Sequence, residues 1–256
     1  MFLIFGNPVK HSKSPLMHNY FFKKSGINEC YGRYKLENGE DIIKKFKNLK
    51  IKGANVTVPH KEYAFKLADE VRGIAKDIGA VNTLVLENGK IVGYNTDAPG
   101  FLEAIKEFEY KNVLIIGAGG TAKALSLVIP DAHILNRSKK RLQFFKEKQK
   151  ICFTWDEIDT FNYDLIINTT SAGLNDENLP APENILKKLF LNAKYAVDVI
   201  YGKQTPFLRL AKKYNLKTKT GLDMLVYQGV LAMELFLGKK LERKKTAAEI
   251  YFEILR

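Results

Sequence analysis

Short apolar runs alternate with amphipathic ones along most of the chain. Residues 2–6 (FLIFG), 31–36 and 53–58 read as strands. A helix at 15–25 opens on Pro15 with Ser14 as its N-cap, and a lysine-rich helix at 40–49 follows. In NTLVLENGKIVGYNT (82–96), Asn88-Gly89 sits between alternating apolar residues, a strong hairpin signal. From about residue 99 the pattern changes: KNVLIIGAGGTAKALSLVI (111–129) is a strand, a glycine turn and a helix. AHILN (132–136), KICF (150–153), YDLIIN (163–168) and YAVDVI (195–200) follow as buried strands, and helices at 223–236 and 245–255 close the chain. Strands alternating with helices predict an α/β protein with mainly parallel sheets. Pro99-Gly100 breaks the pattern where two domains would meet, and no flexible Gly/Ser linker separates them.

The length of 256 residues allows one large or two modest domains. With 46% hydrophobic and 27% charged residues, composition is that of a globular protein. No apolar run is long enough to span a membrane, and the N-terminus lacks a signal-peptide pattern, so a soluble cytoplasmic protein is expected. Two cysteines, Cys30 and Cys152, make neither a disulfide framework nor a zinc site. The net charge of +13 raises nucleic acid as a partner. The lysines are spread along helix faces without an aromatic-interleaved or recognition-helix motif, so no nucleic acid is expected. His11, His18, His60 and His133 have no metal-ligand support, and no metal is expected. His60 reads either as a neighbour that tunes the charge of Lys61 or as an exposed turn residue, and Trp155 as ordinary packing or surface.

Gly117-Ala118-Gly119-Gly120-Thr121-Ala122 fits G-x-G-x-x-A between a strand and a helix. The first glycine permits the turn, the second lets backbone approach a pyrophosphate, and small Ala122 lets helix pack on strand. The helix N-terminus then offers free N–H groups to phosphate. An NAD site places a carboxylate about 20 positions on. Here Asn136-Arg137-Ser138 begins 19 residues after Gly117, with Arg141 close behind. Positive charge without a carboxylate favours a 2′-phosphate, hence NADP. Small polar clusters fill the N-terminal half: Ser12, Ser14, Thr57, Lys61, Asn82 and Asp97. Singly each has a bland reading: Ser14 and Asp97 as helix caps, Thr57 as a strand residue, Asn82 as a turn residue.

Together the motifs closely resemble shikimate dehydrogenases. They are HSKSPLMHN (11–19), NVTVPHK (55–61), GAVNT (79–83), NTDAPG (95–100), GAGGTA (117–122), NRS (136–138), NTTSAGL (168–174), DVIY (198–201) and GLDMLVYQG (221–229). They run in family order over nearly the whole chain. The resemblance implies an N-terminal α/β substrate domain, 1–98, completed by helices at about 225–256, and a Rossmann-type NADP domain, 99–224, with a cleft between them. It implies reversible NADP(H)-dependent reduction of 3-dehydroshikimate to shikimate, with a quinate/shikimate dehydrogenase of broader substrate or NAD use as the alternative. By analogy Ser12, Ser14 and Tyr201 would hold the substrate carboxylate. Thr57, Lys61, Asn82, Asp97 and Gln228 would hold its hydroxyls, with Lys61 and Asp97 the catalytic pair. Val199, Gly221 and Met224 would lie at the nicotinamide end. Asp223 and Gly73, the latter in a segment read as helical, depart from the family pattern and carry no role. A homodimer is left open.

Overall fold

The computed structural model describes residues 1–254. These divide into two compact units, one of residues 1–100 with the chain from 225 onward, the other of residues 101–224.

The first unit holds a mixed sheet. Its strands are β1 (Phe2–Gly6), β2 (Tyr31–Lys35), β3 (Gly53–Val56), β4 (Glu70–Val71), β5 (Thr83–Glu87) and β6 (Lys90–Tyr94), in the order β2-β1-β3-β5-β6-β4. β1 pairs in parallel with β2 and β3, but β5 runs antiparallel to both β3 and β6. Three of the five pairings are parallel, as expected, and the hairpin inserts reversed β5 between the parallel strands β3 and β6. Asn88 and Gly89, at φ 49° and 79°, make its turn, as the Asn-Gly pair predicts. β1 is buried on both faces. Leu3 and Phe5 join a cluster with Ile42, Phe46, Val56 and Leu84, while Phe2 stacks on Phe236 at 4.6 Å.

Helix α1 (Ser14–Lys24) begins one residue earlier than expected, so Ser14 is inside it and the Ser12 hydroxyl accepts the Ser14 N–H. The lysine-rich segment is a short 3₁₀ turn, Gly39–Asp41, running into α2 (Ile42–Asn48). Two helices escape the hydrophobic pattern: α3 (Lys61–Leu67) and the four-residue α4 (Ala75–Ile78). Both are short enough that periodicity has little to work on. Gly73, read as helical, precedes α4 at φ 59° and lies in a turn. Helix α5 (Asp97–Ile105) contains Pro99 and Gly100 in its first turn, so the pair does not break the structure. Proline is tolerated there because the first helical N–H groups need no intrahelical acceptor.

The second unit is a parallel sheet covered on both faces. Its strands are β7 (Val113–Ile116), β8 (His133–Leu135), β9 (Cys152–Phe153), β10 (Leu165–Asn168), β11 (Tyr195–Asp198) and β12 (Lys217–Lys219), ordered β12-β11-β10-β7-β8-β9. All its pairings are parallel. This is the doubly wound dinucleotide-binding order, with its switch point between β7 and β10. Alternate residues serve opposite faces: Leu114, Ile116 and Ile166 join one apolar cluster, Val113, Ile115 and Ile167 the other. Its helices include α6 (Gly120–Val128), α7 (Gln143–Glu147), α8 (Glu183–Phe190) and α9 (Pro206–Lys213), the last capped by the Thr205 hydroxyl. The chain ends through α10 (Gly221–Leu237) and α11 (Arg243–Ile254). Among the described residues no helix is long and apolar enough to cross a membrane.

His18 on α1 is fully buried, stacked on Tyr31 at 4.2 Å, with neither ring nitrogen hydrogen-bonded. Burial lowers its pKa to about 3. Above about pH 6.5 the imidazole is neutral folded or unfolded. Below that only the unfolded chain gains the proton, so stability should fall as pH drops from about 6.5 toward 3. The contribution is roughly 1.4 kcal/mol per pH unit. Urea unfolding of wild type and His18→Leu between pH 7 and 4.5 checks this. The variant should lose less stability, and equal slopes would refute the assignment.

Candidate functional site

In the first unit, two helix N-termini present the candidate pair. Lys61 opens α3 and Asp97 opens α5. Lys61 Nζ donates to Asp97 Oδ2 at 2.6 Å, with both side chains partly exposed. Asp97 is not the helix cap: the Asn95 carboxamide oxygen accepts the Asp97 and Ala98 N–H groups at 3.1 and 3.4 Å. The aspartate is thereby released from capping and its carboxylate is free to face Lys61. A carboxylate in the first turn is also favoured by the helix dipole.

Asn82 sits behind this pair, buried at the start of the hairpin. Its Oδ1 accepts the Thr96 backbone N–H at 2.8 Å, which fixes the amide's orientation. Its Nδ2 donates to the Thr96 hydroxyl at 3.0 Å. With Oδ1 engaged and one N–H given to Thr96, one N–H of Asn82 remains for a ligand. Asn55 and Tyr31 extend the network: the Tyr31 hydroxyl donates to Asn55 Oδ1 at 2.6 Å, and Asn55 Nδ2 donates to the Thr83 hydroxyl at 3.0 Å. Neither residue stood out singly in the sequence, where both read as strand positions.

Thr57 lies just beyond β3, and its carbonyl accepts the His60 N–H. Ser14 is buried and Ser12 partly so. Gln228, on α10, is buried and spends one amide N–H on the Leu225 carbonyl at 2.8 Å, leaving its second N–H as donor and its oxygen as acceptor. His60 is not an exposed turn residue: it is 2% exposed and its Nε2 bonds the Leu36 carbonyl at 2.7 Å. It anchors the turn before α3. Tyr201 belongs to the second unit and is exposed there.

The second unit gathers the other candidates at the C-terminal ends of β7, β8 and β11. Gly117 has φ 115°, and a Cβ there would lie 2.5 Å from the Thr169 hydroxyl. A Cβ at Gly119 or Gly120 would meet no protein atom within 4 Å. Packing of the chain itself therefore does not demand glycine at those two positions, whereas close approach of another molecule does. Ala118 packs into the sheet, Ala122 is fully buried, and Thr121 is in the first turn of α6. That turn has no side-chain cap and no acidic residue, leaving its N–H groups suited to an anion. A cavity of about 750 Å³ is lined by Gly117, Asn136, Arg137, Arg141, Trp155 and Thr170, among others. Arg137 and Arg141 are exposed, and Asn136 Nδ2 turns back to the Ser138 carbonyl at 2.9 Å. The acidic groups on the same cavity are engaged elsewhere. Asp176 accepts the Gly173 and Asn178 N–H groups, Glu177 pairs with Arg209 and Glu183 with Lys187. Their negative charge is thus partly neutralised, and the guanidiniums supply positive charge to the cavity. These residues fit a phosphorylated dinucleotide.

Val199 and Gly221 stand together: a Cβ on Gly221 would lie 1.9 Å from the Val199 carbonyl oxygen. Met224 packs on the apolar cluster beneath. Asp223, whose packing the sequence left open, pairs with Lys219 at 3.2 Å. Behind them lies a fully buried carboxylate that sequence reasoning passed over inside DVIY. Asp198 Oδ2 accepts from Asn168 Nδ2 at 3.0 Å and the Thr205 hydroxyl at 2.7 Å, and Oδ1 accepts the Ile200 N–H at 3.0 Å. Burial pushes its pKa up, against those three hydrogen bonds. It ties the ends of β10 and β11 to the cap of α9.

The model of the shikimate dehydrogenase substrate binding domain matches residues 4–84. A shikimate dehydrogenase (NADP(+)) of Helicobacter hepaticus is 49% identical over 93% of this chain and 91% of its own length. One from Helicobacter pylori is 45% identical over 100% and 97%. Among solved structures, the shikimate 5-dehydrogenase of Thermus thermophilus in complex with NADP(H) and shikimate aligns with a TM-score of 0.86. It is 32% identical and 98% of each chain is covered.

The glycines at 117 and 119 should respond differently to a methyl group. Gly117→Ala adds positive-φ strain and a clash, and should lower stability by about 1–3 kcal/mol. Gly119→Ala should leave the melting temperature within about a degree, since surface substitutions in open space cost little. Thermal unfolding followed by circular dichroism separates the two, and equal losses would contradict the geometry.

Proposed function

The chain belongs to the shikimate dehydrogenase family, and we infer that it catalyses the reversible NADP(H)-dependent reduction of 3-dehydroshikimate to shikimate, a step in aromatic amino-acid biosynthesis. The observation that carries the residue assignment is the Lys61–Asp97 contact of 2.6 Å, backed by an amide whose orientation is fixed.

NADP(H), when bound, supplies or accepts the hydride. The chain's own task is to hold the substrate and to move one proton at its C3 oxygen. In the direction of reduction, the Lys61 ammonium donates that proton; in the reverse direction, neutral Lys61 takes it. Asp97 holds the Lys61 amine in position through Oδ2, and its second oxygen can accept a ring hydroxyl. Asn82 offers its one remaining N–H, and Gln228 its carbonyl oxygen and second N–H, so the two amides supply two donors and one acceptor. Thr57 is assigned to the same hydroxyls. Ser12, Ser14 and, from the second unit, Tyr201 are assigned to the carboxylate as uncharged hydroxyl donors.

For the dinucleotide, the glycine turn of 117–120 and the open first turn of α6 with Thr121 take the pyrophosphate. Arg137 and Arg141 take the 2′-phosphate, with Asn136 and Ser138 shaping that end. The lack of a carboxylate after β8 gives NAD no partner for its ribose hydroxyls. Ala118 backs the turn, and Val199, Gly221 and Met224 form the wall proposed for the nicotinamide. The cytoplasm is the location proposed for this reaction.

The first experiment offers shikimate or quinate with NADP or NAD, in all four combinations, and follows reduced nicotinamide by absorbance. Turnover with shikimate and NADP is expected to exceed the other three. Comparable turnover with NAD would overturn the roles given to the arginines. Lys61→Ala should lower kcat by about 10²–10⁴ with KM for shikimate changed only a few-fold. An intact kcat would remove lysine from the chemistry. Arg137→Ala should raise KM for NADP about tenfold or more while leaving KM for NAD unchanged. Equal effects on both cofactors would assign the guanidinium elsewhere.

A further inference from the structure

Trp155 is the single tryptophan of the chain. It lies just beyond β9 and lines the cavity that also holds Asn136, Arg137 and Arg141. Together with Phe153, Ile158, Phe161 and Leu179 it packs against one of the second unit's apolar clusters. Its position is therefore set by packing, while its remaining surface belongs to the cavity wall. The indole N–H is buried and makes no hydrogen bond. Packing alone would favour phenylalanine or leucine here, since neither leaves an unpaired donor. An indole that shares a cavity wall with two guanidiniums has the chemistry of a surface for a flat heteroaromatic ring. Purine bases stack on aromatic side chains, and arginine reinforces such contacts.

We propose that Trp155 is the wall against which the adenine ring of the cofactor rests, beside the arginines that take the 2′-phosphate. The assignment rests on the NADP reading and adds the residue that grips the base. Trp155 is placed far from the proton-transfer pair in sequence and role, so it contributes to binding of the dinucleotide and not to chemistry. Its loss weakens the adenosine half whether or not a nicotinamide is attached.

The probe is adenosine 2′,5′-bisphosphate, which carries the base and the phosphates without the nicotinamide. Titrated into the full-length protein, it should change Trp155 emission, with the same dissociation constant that calorimetry gives. Trp155→Leu should weaken its binding about tenfold, and Trp155→Phe, which keeps an aromatic face, only about two- to threefold. In steady-state assays, Trp155→Leu should raise KM for NADP by a similar factor with kcat and KM for shikimate unchanged. Unfolding curves of both variants confirm that they are folded. If Leu impairs folding, Phe and the wild-type emission titration still decide the matter. Binding by calorimetry with unaltered emission, or with unaltered affinity in a folded Trp155→Leu protein, overturns the proposal. If wild type turns over shikimate with NADP but does not bind the bisphosphate, the proposal falls and the NADP reading stands. If neither NADP nor the bisphosphate binds, both fall together.

Discussion

The bond from the Thr96 backbone N–H to Asn82 Oδ1 governs the first unit's site. A backbone donor cannot be exchanged for an acceptor, so this contact decides which way the buried amide faces. It joins the start of β5 to the residue before Asp97. The start of α5 is thus fixed against the hairpin, and the Asp97 carboxylate meets Lys61 at 2.6 Å. Asn95 completes the arrangement by capping the helix in place of Asp97. Asn82, Asn95 and Thr96 are buried, where an unpaired polar group is costly, while Lys61 and Asp97 are partly exposed. The network is therefore closed except at the atoms left for a ligand.

The second unit solves a parallel problem with a buried charge. Asp198 accepts three hydrogen bonds from neutral donors. Removing a carboxylate from water is expensive, and such bonds recover part of that cost. What the arrangement achieves is position: the ends of β10 and β11 are locked to one another and to α9. Thr169 then stands against the glycine turn, and the Val199 carbonyl stands where only glycine fits at 221. The glycine turn follows β7 and the wall proposed for the nicotinamide follows β11, with β10 between them and tied to β11 by Asp198.

The hairpin at Asn88-Gly89, the strands of the parallel sheet and the glycine turn were legible because each has a local physical signature. Positive φ at Asn-Gly, unbroken apolar runs in strands buried on both faces, and glycine between strand and helix are properties of a few consecutive residues. The short helices α3 and α4 were not legible, since seven and four residues give too little periodicity. Nor was the reversal of β5 within the first sheet, which depends on what the hairpin packs beside. His60 read as an exposed turn residue because its neighbours are polar. It is buried because the Leu36 carbonyl, 24 positions away in sequence, comes to meet it.

The same division runs through the site. Sequence by itself determined the chemical inventory: a lysine and an aspartate, amides and hydroxyls, arginines without a carboxylate after β8, and the motif order that marks the family. It could do so because charge, proton-carrying capacity and backbone freedom belong to residue types. Only the tertiary structure decided which atoms of that inventory are free. Asn82 has its acceptor engaged, Asp97 is relieved of capping, Asp198 becomes a hub, and Trp155 lines a cavity instead of merely filling a core. Hydrogen-bond saturation and burial depend on partners tens of residues away in sequence, so no reading of local pattern can supply them.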